Sequence, residues 1–285
     1  MSSVIPLGRT RGVFASAQAR PTLAIGLGLG LFVLLLVFAW LGPIIYPIGA
    51  QAIHVHHILT PPSARFPLGT DDLGRDLLAR LMAGGRPTLA AGLAGTALAF
   101  AIGVPYGLLA ALAPAWLEGL LMRILDALLA VPGLVLMMFV AALIPLGVVS
   151  LIGLLGLVAW PGLARIVRNE ALAARERDYV QAARLFGAGP FAIARVHLLR
   201  AMAPMLVVNA TFLTADLILA LSGLSFLGLG IQPPHPSWGG LLNTGAQLAV
   251  IGPWWLIVFP GLAIFLAILA MNLLGQGLLA RLENR

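Results

Sequence analysis

The chain has no cysteine, and none of its 17 basic residues is a lysine. Without cysteine there is no disulfide, no zinc–thiolate cluster and no cysteine nucleophile. Without lysine the chain cannot complete the phosphate-cradling loop that ends in Gly-Lys-Ser/Thr, so any ATP that drives it must bind another chain. Charge of either sign is scarce: it makes up 9% of 285 residues, against roughly 25% in a soluble domain. So few charges cannot cover a water-facing surface. The 60% hydrophobic content and the mean hydropathy of +1.02 belong in a bilayer.

The charge that remains is arginine in excess of acid, 17 against 10, for a formal +7. It lies in short segments between apolar runs, which suits membrane orientation and not nucleic-acid binding. Six runs approach the roughly 20 residues needed to cross a bilayer: 22–42, 88–113, 122–145, 147–166, 205–226 and 251–277. The predicted organisation is a segment 1–21, a first anchor 22–42, an outer segment 43–87 with an amphipathic helix, and a five-helix core 88–277. A basic loop 167–204 interrupts the core, and a tail 278–285 follows it. The first run exceeds the core of a signal peptide, and no small-residue cleavage pattern follows in "AWLGPIIYP", so it reads as a retained anchor. The third and fourth runs meet at the Pro/Gly turn Ile144–Ser150.

Six spans put both termini on one side. That side collects Arg9, Arg11, Arg20, Arg123, Arg165, Arg168, Arg175, Arg177, Arg184, Arg195, Arg200, Arg281 and Arg285, whereas the other keeps Arg65, Arg75, Arg80 and Arg86. The arginine bias predicts cytoplasmic termini and a cytoplasmic loop 167–204.

Within that loop, Ala171–Phe186 consists of strong helix formers. Tyr179, Ala182, Ala183 and Phe186 recur at spacings of three and four and predict one apolar face. Gly187 predicts a helix stop with positive φ or a close backbone approach, and Pro190 a restart. From this chemistry alone the segment is either an interfacial amphipathic hairpin or an element that docks into a groove on a soluble partner.

In the outer segment, Thr70 predicts an N-cap, with Asp71 and Asp72 in the first turn of a helix. Leu73, Leu77, Leu78 and Leu81 form its stripe, and Asp76 and Arg80 are spaced to pair. That helix either packs on the spans or contacts an outer partner. The loop "GIQPPHPSWGG" is stiffened by proline, and its Trp238 suits a membrane interface. His54, His56 and His57 lack the acidic or sulfur companions of a dedicated metal site, so no metal is expected. Gly26-x-Gly28-x-Gly30 and Gly103-x-x-x-Gly107 lie inside spans and read as helix-packing seams.

Asp216 lies near the middle of the fifth run, where a carboxylate faces a cavity or a partner. It either lines a translocation route or pairs across a subunit interface. Asn209, Thr211, Thr214 and Ser222 share its span and can hydrogen-bond. An ion-coupled secondary transporter would carry more intramembrane carboxylates and an internal repeat. An intramembrane enzyme would carry a nucleophile–base pair or a metal cluster. Neither pattern is visible.

Three stretches in order resemble a known family. "DYVQAARLFGAGPFAIARVHLL" resembles the EAA loop of ABC importer permeases, with Gln181, Ala182, Ala183 and Gly187 at its Glu-Ala-Ala-x-x-x-Gly positions. "PLGTDDLGRDLLARLMAGGRPTL" and "LSFLGLGIQPPHPSWGGLL" are similar to the dipeptide/oligopeptide/nickel branch, in its C-type subunit. The resemblance implies an all-α membrane protein of type I importer architecture in the bacterial inner membrane, with no catalytic site, metal or cofactor of its own. It implies import of a solute, a di- or oligopeptide or else nickel or another small solute. The implied partners are a homologous B-type permease, two ABC ATPase subunits that hold ATP and magnesium, and an extracytoplasmic solute-binding protein. Tyr179, Gln181, Ala182, Ala183, Arg184, Gly187 and Ala188 would form the ATPase-coupling loop. Asp71, Asp72, Arg75, Asp76 and Trp238 would be candidates for outer contacts. Departures from the family pattern are Gln181 for the loop's acid, Arg200 for a late proline, and Leu221 for an acid before "LSFLGLG".

Overall fold

The computed structural model describes residues 21–144 and 147–283. Nearly all of the expected segment 1–21, with Arg9, Arg11 and Arg20, lies outside the described residues, as do the centre of the 144–150 turn and Arg285. Along the chain run α1 (Pro21–Trp40), α2 (Gly42–Ile45), α3 (Leu77–Leu112), α4 (Ala115–Leu129) and α5 (Gly133–Leu143). They are followed by α6 (Val148–Arg175), α7 (Asp178–Leu185) and α8 (Pro190–Ala192), and then by a π-wound segment, Ile193–Leu198, that feeds α9 (Leu199–Phe226). α10 (Trp238–Gln247) and α11 (Trp255–Glu283) complete the chain.

Five apolar helices are long enough to cross a bilayer: α1, α3, α6, the continuous Pro190–Phe226 unit, and α11. α4 and α5 meet at 66° and, taken as one broken span, make the sixth. The straight span expected at 122–145 is therefore corrected. Pro132 has no N–H to donate and pushes the residue before it out of the helical region, so the helix breaks there. The second span starts at Leu77, well before residue 88, and the fourth runs on to Arg175. The fifth passes through Pro204 and does not begin after it. The sixth starts at Trp255, after Gly252 turns the chain at φ +102°, and helix continues through the expected tail to Glu283.

α3 is the hub. It packs along α6, α9 and α1, and its seam with α6 depends on glycine. A Cβ at Gly107 would meet the Ala164 carbonyl at 2.6 Å, and one at Gly103 the Trp160 carbonyl at 3.0 Å. The expected small-residue seam is therefore present, and it allows two backbones to approach closely without polar contacts. In α1 only Gly28 serves in this way, against Ala270 and Leu274, whereas Gly26 and Gly30 face open space. α1 crosses the bundle obliquely. Its start meets the end of α11 at Gly277, and its end meets the start of α3 at Gly85. The outward leucines of α1, among them Leu23, Leu27 and Leu34, stay exposed as a lipid-facing surface.

α4 is anchored to α6 by ion pairs, Glu118 with Arg168 and Asp126 with Arg165. Arg86 donates to the carbonyls of Ala39 and Trp40, which closes the open end of α1.

Candidate functional site

The two ends of the bundle carry the candidate residues. At the loop end the single helix expected over Ala171–Phe186 is two helices, because α6 stops at Arg175 and α7 restarts at Asp178. The Gln181 side chain donates to the Glu176 carbonyl across this break at 3.1 Å. Arg175 Nη1 donates to the Ala111 carbonyl at 3.0 Å and ties the end of α6 to the end of α3. Val180 is fully buried in a cluster with Ala171, Ala174, Ile193 and Leu198. That is the inward anchor of α7, and it corrects the predicted apolar face. Of the four residues expected there, Ala182 and Ala183 are half-buried, Tyr179 is exposed beside the His197 ring, and Phe186 is 91% exposed.

Gly187 has φ +85°, as expected for a helix stop, and the Ala188 N–H returns to the Ala183 carbonyl at 3.0 Å. No atom of this chain lies within 4 Å of where its Cβ would be, so within the chain the glycine serves conformation and not close approach. Pro190 restarts the chain, but the expected short second helix is the first turn of the long unit that becomes α9. The outcome is an elbow whose base is pinned by Val180 and Arg175. Its tip presents Leu185, Phe186 and Phe191, all more than three-quarters exposed. Arg184 is exposed on the same tip, Arg200 on the helix beyond, and Leu221 is buried in apolar core.

The opposite end is a cap folded over the spans. Asp71 accepts from the backbone of Leu73 and Arg75 at 2.9 Å and from Arg75 Nε at 2.7 Å, and it lies 3.1 Å from Arg80 Nη1. Thr70 is not an N-cap. Its hydroxyl takes the Thr60 N–H and donates to the His57 carbonyl, while its own carbonyl takes Trp255 Nε1 at 3.1 Å. Asp76 caps α3, accepting from the Ala79 N–H and from the Tyr46 hydroxyl, each at 2.8 Å. Burial first, then the bond to Asp76 and its negative charge, push the Tyr46 hydroxyl up to about 12. The predicted Asp76–Arg80 pair is thus replaced by Asp71–Arg80, because residues 70–76 form a turn and not a helix. Leu77 and Leu81 of the predicted stripe are buried, whereas Leu73 is exposed.

Trp238 is fully buried and donates Nε1 to the Leu81 carbonyl at 2.8 Å, which corrects its expected place at an interface. Among the candidate outer contacts Asp71, Asp76 and Trp238 are internal, Arg75 is mostly covered, and Asp72 is exposed. His54 and His57 pack on Phe66, and among the described residues no three potential metal ligands gather.

Between the two ends, Asp216 and Asn209 share a cavity of about 230 Å³ between α6 and α9, walled by Ala159, Gly162, Ile166 and Phe212. Asp216 is exposed on the single chain and makes no ion pair among the described residues. Asn209 donates to the Met205 carbonyl, and Thr214 meets Thr96 at 3.1 Å across the seam of α3 and α9. Ser222 lies away from that cavity, buried, with no partner for its hydroxyl. Sequence reasoning missed Val180, Arg175 and the two ion pairs of α4, because each partner lies on a helix remote in sequence.

A membrane-embedded helical core, an elbow that offers apolar side chains to water, and no reactive cluster define a translocating subunit driven by another protein. Residues 103–285 match the family described as the binding-protein-dependent transport system inner membrane component, and the chain belongs to that family. It is 40% identical over 263 residues to the di/tripeptide transport system permease protein DppC of Pseudomonas aeruginosa, covering 90% of this chain and 86% of that one. The dipeptide transport system permease protein DppC of Bacillus subtilis is 38% identical and the glutathione transport system permease protein GsiD of Pectobacterium atrosepticum 37%. Each spans 90% of this chain, and the match covers 80% and 85% of those proteins respectively. A solved inward-facing structure of the MetNI methionine ABC transporter superposes with a TM-score of 0.54 at 26% identity, over 70% of this chain and 96% of that one. The chain is a multi-pass, type I ABC importer permease, a non-catalytic subunit whose ATPase is separate.

Proposed function

We propose that this permease forms half of a pore, with a homologous B-type permease as the other half and two ATPase subunits beneath, importing di- or oligopeptides handed over by an extracytoplasmic binding protein. The peptide reading is supported by the relatives, several of which carry peptide or glutathione in their names. Both termini and the elbow at Gly187 lie in the cytoplasm on this reading, in keeping with the arginine bias. ATP and magnesium reside on the ATPases, and this chain holds no cofactor.

One observation carries the coupling role. Leu185 and Phe186 stand out into water at 88% and 91% exposure on an elbow whose base is fixed. Large apolar side chains held out by a rigid support mark a contact surface, and rigid helices pass the displacement of a docked ATPase to α6 and α9. Tyr179, Gln181, Ala182, Ala183, Arg184, Gly187 and Ala188 form or support that surface. Asp216 and Asn209 face the translocation route or the companion permease, since an unpaired carboxylate at mid-span needs water or a partner. Asp72 is the outer acid free to meet the binding protein.

The absence of cysteine makes the test clean. Phe186→Cys, assembled with the full transporter and treated with a short bismaleimide, is expected to cross-link to an ATPase subunit bearing a cysteine in its docking groove. Asp72→Cys is expected to cross-link to the binding protein and not to the ATPase. The reverse pattern would overturn both the docking and the orientation.

A further inference from the structure

Beside the elbow, α3, α4 and the start of the α8–α9 unit leave a groove of about 730 Å³. Its walls include Pro105, Leu108, Leu109, Leu117, Phe191 and Leu199, with Arg195 at the rim. A second cavity of about 310 Å³ adjoins it, sharing Leu112 and Pro190 and lined further by Arg175, Arg184 and Ala188. Arg184 and Arg195 are exposed and form no ion pair among the described residues. Arg175 gives Nη1 to the Ala111 carbonyl and lies 3.6 Å from Glu176, while its buried Nε has no hydrogen-bond partner. Trp116, 72% exposed, stands next to the groove at the start of α4, where an interfacial tryptophan marks the headgroup level.

We propose that this composite site binds one anionic phospholipid of the cytoplasmic leaflet, its phosphate among Arg175, Arg184 and Arg195 and an acyl chain in the groove. The reading rests on the inward orientation proposed above.

Depth decides the occupant. From Leu112 at the end of α3 to Val104 at the inner limit of the groove is eight residues, about 12 Å along the helix. A soluble ATPase resting on the elbow does not reach 12 Å into hydrocarbon, whereas a lipid chain already lies there. A companion permease helix would seat on small residues, yet this groove is walled by leucine, phenylalanine and proline. The charge also matches. Guanidinium groups clasp phosphate oxygens in forked pairs, and basic pockets between spans on the cytoplasmic side recognise anionic headgroups. Because Arg184 and Phe191 belong to the elbow itself, a lipid held here would brace it against α3.

The test uses the intact transporter in detergent, supplied with equimolar dioleoylphosphatidylglycerol and dioleoylphosphatidylcholine, and counts the lipid retained by native mass spectrometry. The wild type is expected to retain the glycerol lipid selectively. Arg195→Gln is expected to lower that retention about fivefold, the equivalent of roughly 1 kcal/mol per arginine near a headgroup. Leu109→Trp, which fills the groove, is expected to abolish retention while ATPases still co-purify. Equal retention of the two lipids, or retention unchanged in Arg195→Gln, would overturn the proposal. Displacement by glycerol 1-phosphate alone would reduce the site to a phosphate site and also overturn it, as would capture of an ATPase by a photo-cross-linker at Leu109. Retention does not require transport, so failure here leaves the coupling role of the elbow untouched.

Discussion

The cap and the elbow use similar residues in opposite ways. At the cap, Asp71, Arg75, Arg80, Asp76 and Trp238 turn inward and satisfy one another or nearby backbone groups. At the elbow, arginines and large apolar side chains turn outward, and only Val180 and Arg175 hold the base. A buried polar network is costly to leave half-made, so the cap commits its charges to structure. The elbow leaves its surface unsatisfied, which is the property expected of a part completed by another chain. Substitutions at the cap should therefore act on stability, and those at the elbow on coupling.

The largest effect should come at the cap. Asp71→Ala strips the partner from Arg80, whose side chain is about nine-tenths buried, and leaving a buried charge unpaired costs about 3–5 kcal/mol. The expected readout is loss of the monodisperse permease peak in detergent gel filtration, and a wild-type peak would show that water reaches Arg80. Trp238→Phe keeps most of the volume but leaves the Leu81 carbonyl without its donor, at about 1–3 kcal/mol. It should lower the thermal midpoint of the purified transporter while cross-linking at residue 186 continues. Smallest is Gln181→Glu, which restores the family's acid but cannot donate to the Glu176 carbonyl, a loss of about 1 kcal/mol confined to the break between α6 and α7. Uptake near the wild-type level is expected, and a large drop would make that hydrogen bond part of the coupling path.

These contrasts also show what the sequence could carry. Span number, helical class, the GxxxG seam at Gly103 and Gly107, and the turn at Gly187 are local patterns, so they were legible. The break at Pro132 was legible in principle, yet the apolar run across it masked the bend. The cap was misread because Thr70, Asp71 and Asp72 imitate a helix start, whereas long-range bonds to Thr60, Arg80 and Trp255 claim those residues instead. Trp238 looked interfacial since nothing local announces that Leu81, 157 positions away, receives its N–H. In α7, periodicity alone could not tell the face held by Val180 from the face offered to a partner.

The most direct test of the central claim is Gly187→Val. At φ +85° a β-branched residue is strained by about 1–3 kcal/mol, and open space around the missing Cβ means that nothing else in the chain is disturbed. Co-purification of the ATPases and peptide uptake in cells are measured together. The account predicts a normally inserted permease that still binds the solute-binding protein but loses its ATPases or hydrolyses ATP without uptake. Wild-type co-purification together with wild-type uptake would contradict it and reduce the elbow to a surface hairpin.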